Sequence, residues 1–175
     1  MKRLLILLLL TQLAACMSFS DRPFRDTRDS IVEQLPDITL EKEFAMSIGN
    51  SMLGFLNVVA MDNAELADLD RVELAVYNVR TTAKPVDFSE LDLGRALRSR
   101  GSHLHWETVV RVRDKGEQVW VLVGMNTKRN SLEAVSVFVL EDDELVLINV
   151  DGDLDRMIEF ALRPASERRS EAKAG

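Results

Sequence analysis

The chain has 175 residues, of which 46% are hydrophobic and 29% charged, and its formal net charge at pH 7 is −7. This length is typical of a single domain with a core of its own. An acidic chain lacks the basic surface that phosphate backbones require, so the composition excludes nucleic acid as a predicted partner and argues against electrostatic binding to anionic lipids.

The N-terminus has the pattern of a secretion signal. Lys2 and Arg3 precede an apolar run from Leu4 to Leu10. This run is shorter than the roughly 20 apolar residues that a membrane-spanning helix needs. Residues 1–15 are therefore predicted to be a signal peptide. Removing these 15 residues leaves 160, and the loss of two bases takes the net charge from −7 to −9.

The signal ends in a motif that resembles the lipobox of bacterial lipoproteins, Leu13-Ala14-Ala15-Cys16. Small residues before the cut fit a narrow protease cleft, and the Cys16 thiol is available to take a diacylglyceryl group. Cys16 is the only cysteine of the chain, so no disulfide can form within it. A lipidated Cys16 would carry at least two acyl chains, which hold a protein stably on its membrane. The alternative is an incidental cysteine after an ordinary Ala-x-Ala-type cleavage site.

The residue after Cys16 indicates which of the two bacterial membranes would hold the lipoprotein. An Asp at this position favours retention at the inner membrane in Gram-negative sorting, and this chain has Met17 there. The sequence therefore predicts an outer-membrane lipoprotein that faces the periplasm, with the inner membrane as the alternative.

Composition divides the mature chain into three parts. Residues 16–37 are polar without a sustained period, which predicts a lipidated tether. Residues 38–163 contain the periodic apolar segments of one folded domain. Residues 164–175 are charged and Ala-rich, which predicts a disordered tail.

The periodicity of residues 38–163 predicts an α+β fold. The expected order is β-α-β-α-β-β-β-β-α, with a mixed but mostly antiparallel sheet and helices packed on one face. A first strand begins at Ile38, a helix follows over Met52 to Val59, and a helix capped by Ser89 ends before Gly101. The remaining elements are the strand 72–77, the hairpins 106–113 with 118–123 and 134–140 with 145–150, and a last helix 154–162.

The hairpin strands are apolar on both sides, which is typical of strands whose two faces are both covered. Helices would cover one face of these strands, and a partner could cover the other face. The sequence therefore predicts an interaction face for an unknown envelope protein or for a second copy of the chain, built from Trp106, Trp120, Leu122 and Phe138.

Several stretches resemble the bacterial lipoprotein family catalogued as domain of unknown function 4252. They are the lipobox at Cys16, the helix entry at 48–56, the strand 72–77, the strand 106–114 leading into Gly116, and residues 145–155. The resemblance implies an envelope location and this type of fold. Because some family members are encoded beside extracytoplasmic-function sigma factors, it also implies a link to envelope signalling. It implies no activity and no catalytic residue.

His103 and His105 could approach one metal if they lie on the same face of a strand. A zinc site would need further ligands, and the chain has no third His and no free Cys to supply one, so carboxylates would be required. The sequence therefore predicts no metal site and no cofactor, with exposed histidines at a strand entrance as the preferred interpretation.

Asp151, Asp153 and Asp155 alternate like the start of a calcium loop. The sixth position of such a loop should be Gly and the twelfth Glu, whereas this chain has Arg156 and Leu162. Asp153 is instead predicted to cap the last helix, with Asp155 in its first turn.

No Gly-x-Ser-x-Gly motif or Gly-rich phosphate loop is present in the sequence. The sequence therefore predicts a non-catalytic envelope protein that binds a partner. Two alternatives stay open, an enzyme with a dispersed or metal-assisted site near His103 and His105, and a carrier of a small ligand or lipid.

Overall fold

A computed structural model describes residues 17–54, 68–81, 88–89, 91–114, 116–156 and 158. The signal peptide, Cys16 and the tail 164–175 lie outside these residues, so those assignments stay predictions. In the described part of the chain, no helix has the length and apolar character needed to cross a membrane.

Within the described residues, seven strands form one sheet, with helical segments between some of them. The strands are β1 Met17–Ser18, β2 Ile38–Gly49, β3 Leu69–Thr81, β4 Leu104–Asp114, β5 Glu117–Asn126, β6 Ser131–Glu141 and β7 Glu144–Gly152. The helices are α1 Arg25–Gln34 and α2 Leu93–Ala96, with 3-10 turns at Arg22–Phe24 and Arg98–Arg100. Residues 50–54 and 154–156 are also helical.

The strand order is β1-β2-β3-β7-β6-β5-β4, and all of these neighbours are antiparallel. The predicted α+β class, the mostly antiparallel sheet and both hairpins are confirmed. Two-residue turns close the hairpins, and each contains a residue with positive φ, Gly116 at +102° and Asp142 at +50°. Such turns match the twist of the strands that they join.

The predicted tether over residues 16–37 is wrong for its described part. Met17 and Ser18 pair with β2 at Ile48 and Ser47. Farther along, Phe24 is 1% exposed, and Ile31, on α1, is fully buried. These two side chains are seven residues apart, so they lie on one side of the helical segment and hold it on the sheet. The many charges of this segment occupy its solvent side.

The second helix is shorter than predicted and begins later. Its N-cap is Asp92, whose Oδ1 accepts a hydrogen bond from the backbone N–H of Arg95 at 2.8 Å, so the predicted cap at Ser89 is wrong. Gly101 has φ 175°, which is extended backbone rather than a left-handed helix end.

Two other predicted helices are described only in part. Of the segment Met52 to Val59, residues up to 54 are helical, and of the segment 154–162, residues 154–156 and 158 are helical. Their remaining residues lie outside the described part of the chain.

Helices α1 and α2 pack on the same face of the sheet, which we call the helix-covered face. One row of paired positions crosses it from β2 to β4: Ala45, Ala75, Leu147, Phe138, Trp120 and Arg111. Phe88, Leu93, Leu97, Phe24 and Ile31 cover the inner part of this row. The main core of the domain therefore lies between this face and the helices.

Tyr77 is fully buried on the helix-covered face, and it is the only tyrosine of the chain. Burial, followed by the negative charge of Asp21, raises the pKa of Tyr77 from 10.0 to about 12, although Arg28 acts in the opposite direction. The phenol contributes stability that is fully present below pH 10 and is lost as the pH rises from 10 towards 12.

We expect the absorbance of Tyr77 near 295 nm to titrate close to pH 12 in the native protein and close to pH 10 in denaturant. Because no other tyrosine contributes, one spectrophotometric titration checks this. A native midpoint near 10 would show that the ring is accessible to solvent.

Candidate functional site

The structure places the predicted interaction face inside the core. Trp120, Leu122 and Phe138 are 4%, 1% and 0% exposed, and Trp106 is partly buried against the same cluster. The assignment of these residues to an interaction face is therefore wrong. Their large side chains fill the space between the sheet and the helices, so they are not available to a partner.

The opposite face of the sheet is also apolar, and we call it the valine face. The register places its side chains in three rows across β2, β3, β7, β6, β5 and β4. The first row is Phe44, Val76, Val146, Val139, Val119 and Val112; the second is Met46, Leu74, Ile148, Val137, Val121 and Val110; the third is Ile48, Val72, Val150, Val135, Val123 and Glu107.

The valine face is covered unevenly by the described residues. Leu53, Leu69 and Leu154 form a small buried cluster over the third row. The first two rows are only partly buried on the inner strands, and their ends are exposed, with Phe44 at 41% and Val112 at 51%. Contiguous apolar surface of this kind is typical of an interaction site.

One corner of the valine face is aromatic. Phe19, just after β1, is 64% exposed and contacts Phe44, with ring centroids 6.4 Å apart in an edge-to-face arrangement. Met17 pairs with Ile48, four residues along β2 from Phe44, and Phe19 follows Met17 by two residues. The start of the described chain therefore lies on the same edge of the sheet as the two exposed rings, and nearer to Phe19.

A second candidate site is a polar pocket of about 450 Å³ at the end of the sheet where β7 finishes. Charged residues of both signs line it, together with Leu104, Leu132 and Gly152. The charged lining residues are Asp70, Arg100, His103, Arg129, Glu133, Asp151 and Asp153.

Arg100 joins two neighbouring strands beneath this pocket. Its Nη1 donates to Glu73 Oε2 at 2.8 Å, and its Nη2 donates to both carboxylate oxygens of Asp151 at 2.9 Å. The side chains of Arg100 and Glu73 are 7% and 0% exposed. A buried charge is tolerated only when it is paired, so the buried Glu73 carboxylate on β3 requires the Arg100 guanidinium.

The buried ion pair continues into a polar chain. Asn149 lies next to Arg100, and its amide oxygen accepts from Arg100 Nη1 at 2.7 Å in the orientation that satisfies both amide atoms. The other end of the amide is 2.6 Å from Ser136 Oγ. These groups fix β3, β7 and β6 to one another, which is a structural role.

His103 and His105 lie at the start of β4, where both line a shallow depression with Lys128. His103 Nε2 lies 3.3 Å from Glu133 Oε2, and its side chain is 51% exposed. In the described part of the chain, no three His, Cys, Asp or Glu side chains are grouped as metal ligands would be.

Glu133 accepts hydrogen bonds from Asn126, Arg129 and Ser131. Its partial burial acts to raise the pKa, but hydrogen bonds from Ser131 and Asn126 and the positive charges of Arg129 and His103 outweigh it. The pKa of Glu133 is therefore lowered, and this carboxyl stays ionised. A group held as a carboxylate by four neighbours is suited to structural ion pairing.

The three alternating aspartates serve separate structural purposes. Asp151 pairs with Arg100, and Asp155 Oδ2 accepts a hydrogen bond from the backbone N–H of Leu132 at 3.0 Å. Asp153 Oδ1 accepts from the N–H of Arg156 at 3.4 Å, as a helix cap does. Each carboxylate has its own protein partner, in keeping with the capping interpretation.

Sequence reasoning missed the valine face and the Arg100 ion pair. The alternation of Val119, Val121 and Val123 with Trp120 and Leu122 contains the signal for two faces, but it does not say which face the helices cover. No local pattern links Arg100 to Glu73, because 27 residues separate them.

Comparison with curated proteins gave no match, and comparison with solved structures gave none either. Residues 39–157 match the family described as Domain of unknown function (DUF4252). This match covers more than half of the chain and runs from β2 to the helical residues after β7. The chain belongs to the DUF4252 family.

Proposed function

We propose that this protein is a non-catalytic lipoprotein of the bacterial envelope that associates with a second copy of itself through the valine face. Cys16 is the lipid anchor, and the outer membrane, facing the periplasm, is its location. The observation that carries the proposal is the pair of apolar rows left open on the face opposite α1 and α2, beside the third row that Leu53, Leu69 and Leu154 cover.

The chemistry of the valine face supports a protein partner of the same kind. Its first two rows contain no charged side chain at any of their described positions. Two copies with the same net negative charge can approach only through a surface that adds no further repulsion. Antiparallel sheets with apolar faces pack on each other about 10 Å apart, as in β-sandwiches.

The size of the surface limits the affinity of association. Three rows on six strands span roughly 24 by 14 Å, from five strand spacings of about 4.8 Å and two row spacings of about 7 Å. Two such faces would bury on the order of 700 Å², which is below the usual size of specific interfaces. Anchoring both copies in one membrane raises their effective concentration, so a small interface can be sufficient.

The polar end of the sheet supports a binding role rather than catalysis. Arg100, Asp151 and Glu133 are used in ion pairs and hydrogen bonds that join strands. A link to envelope signalling rests on the family resemblance, and a self-associating anchored domain could serve it as an assembly unit.

The test replaces two exposed residues of the valine face, Val110→Lys together with Val112→Lys, in the full-length protein purified from membranes in detergent. Light scattering corrected for detergent should show a dimer for the unaltered chain and a monomer for this variant. Placing lysines in an apolar interface should weaken association by at least about 100-fold, because their charge would lose its hydration.

Thr108→Lys is the matched control. Thr108 is exposed on the same strand but lies on the helix-covered side, where it pairs with Leu122. This variant adds the same charge and should remain dimeric. A monomeric unaltered chain, or a dimer that survives both valine substitutions, would contradict the proposal.

A further inference from the structure

The aromatic corner of the valine face lies on the same edge of the sheet as the proposed lipid anchor. Cys16 precedes Met17 directly, and consecutive Cα atoms are about 3.8 Å apart. Met17 is held on the sheet by pairing with Ile48, and Ser18 by pairing with Ser47. Acyl chains on Cys16 would therefore enter the bilayer one residue away from the sheet edge.

Two exposed aromatic side chains lie along this edge, Phe19 three residues after Cys16 and Phe44 four residues along β2 from Ile48. Phe19 is 64% exposed and Phe44 is 41% exposed, and their rings are in contact. Little of the sheet edge beside them is covered by another strand, because β1 pairs with only two residues of β2. Apolar side chains beside an acyl anchor add to membrane binding through the area that they bury.

The charges around the corner show which lipid chemistry fits. Glu41, Lys42 and Glu43 are exposed on the adjoining part of β2. Arg28 is paired with Asp21 and Asp29. Arg22, three residues after Phe19, is also exposed. Because Glu41 and Glu43 equal Lys42 and Arg22 in number, these residues carry no excess positive charge to attract anionic headgroups.

We propose that Phe19 and Phe44 insert into the boundary between headgroups and acyl chains of the bilayer, so that the sheet stands on its β1–β2 edge against the membrane. This inference rests on the lipid anchor of the proposed function. The domain then has a fixed orientation, with the opposite edge, β4, about 29 Å farther from the membrane, at six strand spacings.

This orientation is compatible with association through the valine face. Two anchored copies related by a two-fold axis along the membrane normal would present their valine faces to each other, and both aromatic corners would point to the bilayer. The aromatic corner, at the β2 end of the rows, and the parts of the rows on the other strands therefore have different partners, lipid and protein.

The test measures membrane depth with nitroxide labels on the full lipidated protein in phosphatidylcholine vesicles. Since a lipidated Cys16 has no free thiol, Phe19→Cys, Phe44→Cys and Thr108→Cys each provide one labelling site. Labels at 19 and 44 should be more accessible to oxygen than to a water-soluble nickel chelate. The label at 108, an exposed position on the far edge and outside the valine face, should show the reverse.

Two results would overturn the inference. Labels at 19 and 44 that match the aqueous behaviour of the label at 108 would show that the corner stays in water. Labels protected from both oxygen and nickel would show that protein covers the corner. Failure of the anchor itself would be seen separately, because the protein would not float with the vesicles at all.

Discussion

Replacing Arg100 with methionine is expected to lower the free energy of unfolding by about 3–5 kcal/mol. The substitution keeps most of the side-chain volume but leaves the fully buried Glu73 carboxylate without the guanidinium that lies 2.8 Å away. Urea unfolding followed by tryptophan fluorescence, on a soluble form that begins at residue 17, measures the loss.

Arg71→Met is the matched control for this prediction. Arg71 also approaches Glu73, but at 3.7 Å and with 55% of its side chain exposed, so its removal should cost less than about 1 kcal/mol. Glu73→Leu combined with Arg100→Met removes both charges and should regain much of the lost stability. If Arg100→Met cost no more than Arg71→Met, the buried pair would not have the role described above.

Phe138→Ala is expected to cost about 3–5 kcal/mol, because the ring is fully buried between the sheet and the helices. The adjacent Val139 has its side chain on the valine face and is only partly buried. Val139→Ala should therefore cost on the order of 1 kcal/mol. Both losses can be measured by the same urea unfolding.

The comparison between these neighbours tests which face of the sheet is covered in a single chain. A large loss for Phe138 and a small one for Val139 is expected if only the helix-covered face is packed within the monomer. Comparable losses would mean that the valine face is equally well packed without a partner.

Much of the sheet could be predicted from the sequence. Alternating valines in β5, β6 and β7 and the short polar turns between them define the hairpins, because side chains alternate across a strand with a period of two. The same alternation showed that the strands are apolar on both sides. These features depend on neighbouring residues, so a local reading was sufficient.

The choice of face could not be predicted in this way. The aromatic residues are the predicted interaction surface, whereas Trp120 and Phe138 are large enough to fill the gap beneath the helices and are buried there. A face of β-branched residues is flatter and suits packing against another sheet. Which helices cover which face depends on contacts between distant segments.

The N-terminal segment was misjudged for a related reason. Phe24 and Ile31 are apolar residues with many charged neighbours, so residues 16–37 have the composition of a tether. Burial of these two side chains is enough to place α1 on the sheet. The Arg100 ion pair was missed because its partners belong to strands far away in the chain.

The central claim is that a second copy covers the valine face in the membrane. The most direct measurement places a photoactivatable crosslinking amino acid at Val112 in cells producing the full chain, then identifies the crosslinked peptides by mass spectrometry. We predict adducts between two copies of this chain, at positions of the valine face. Adducts only within one chain, or only to a different protein, would contradict the claim.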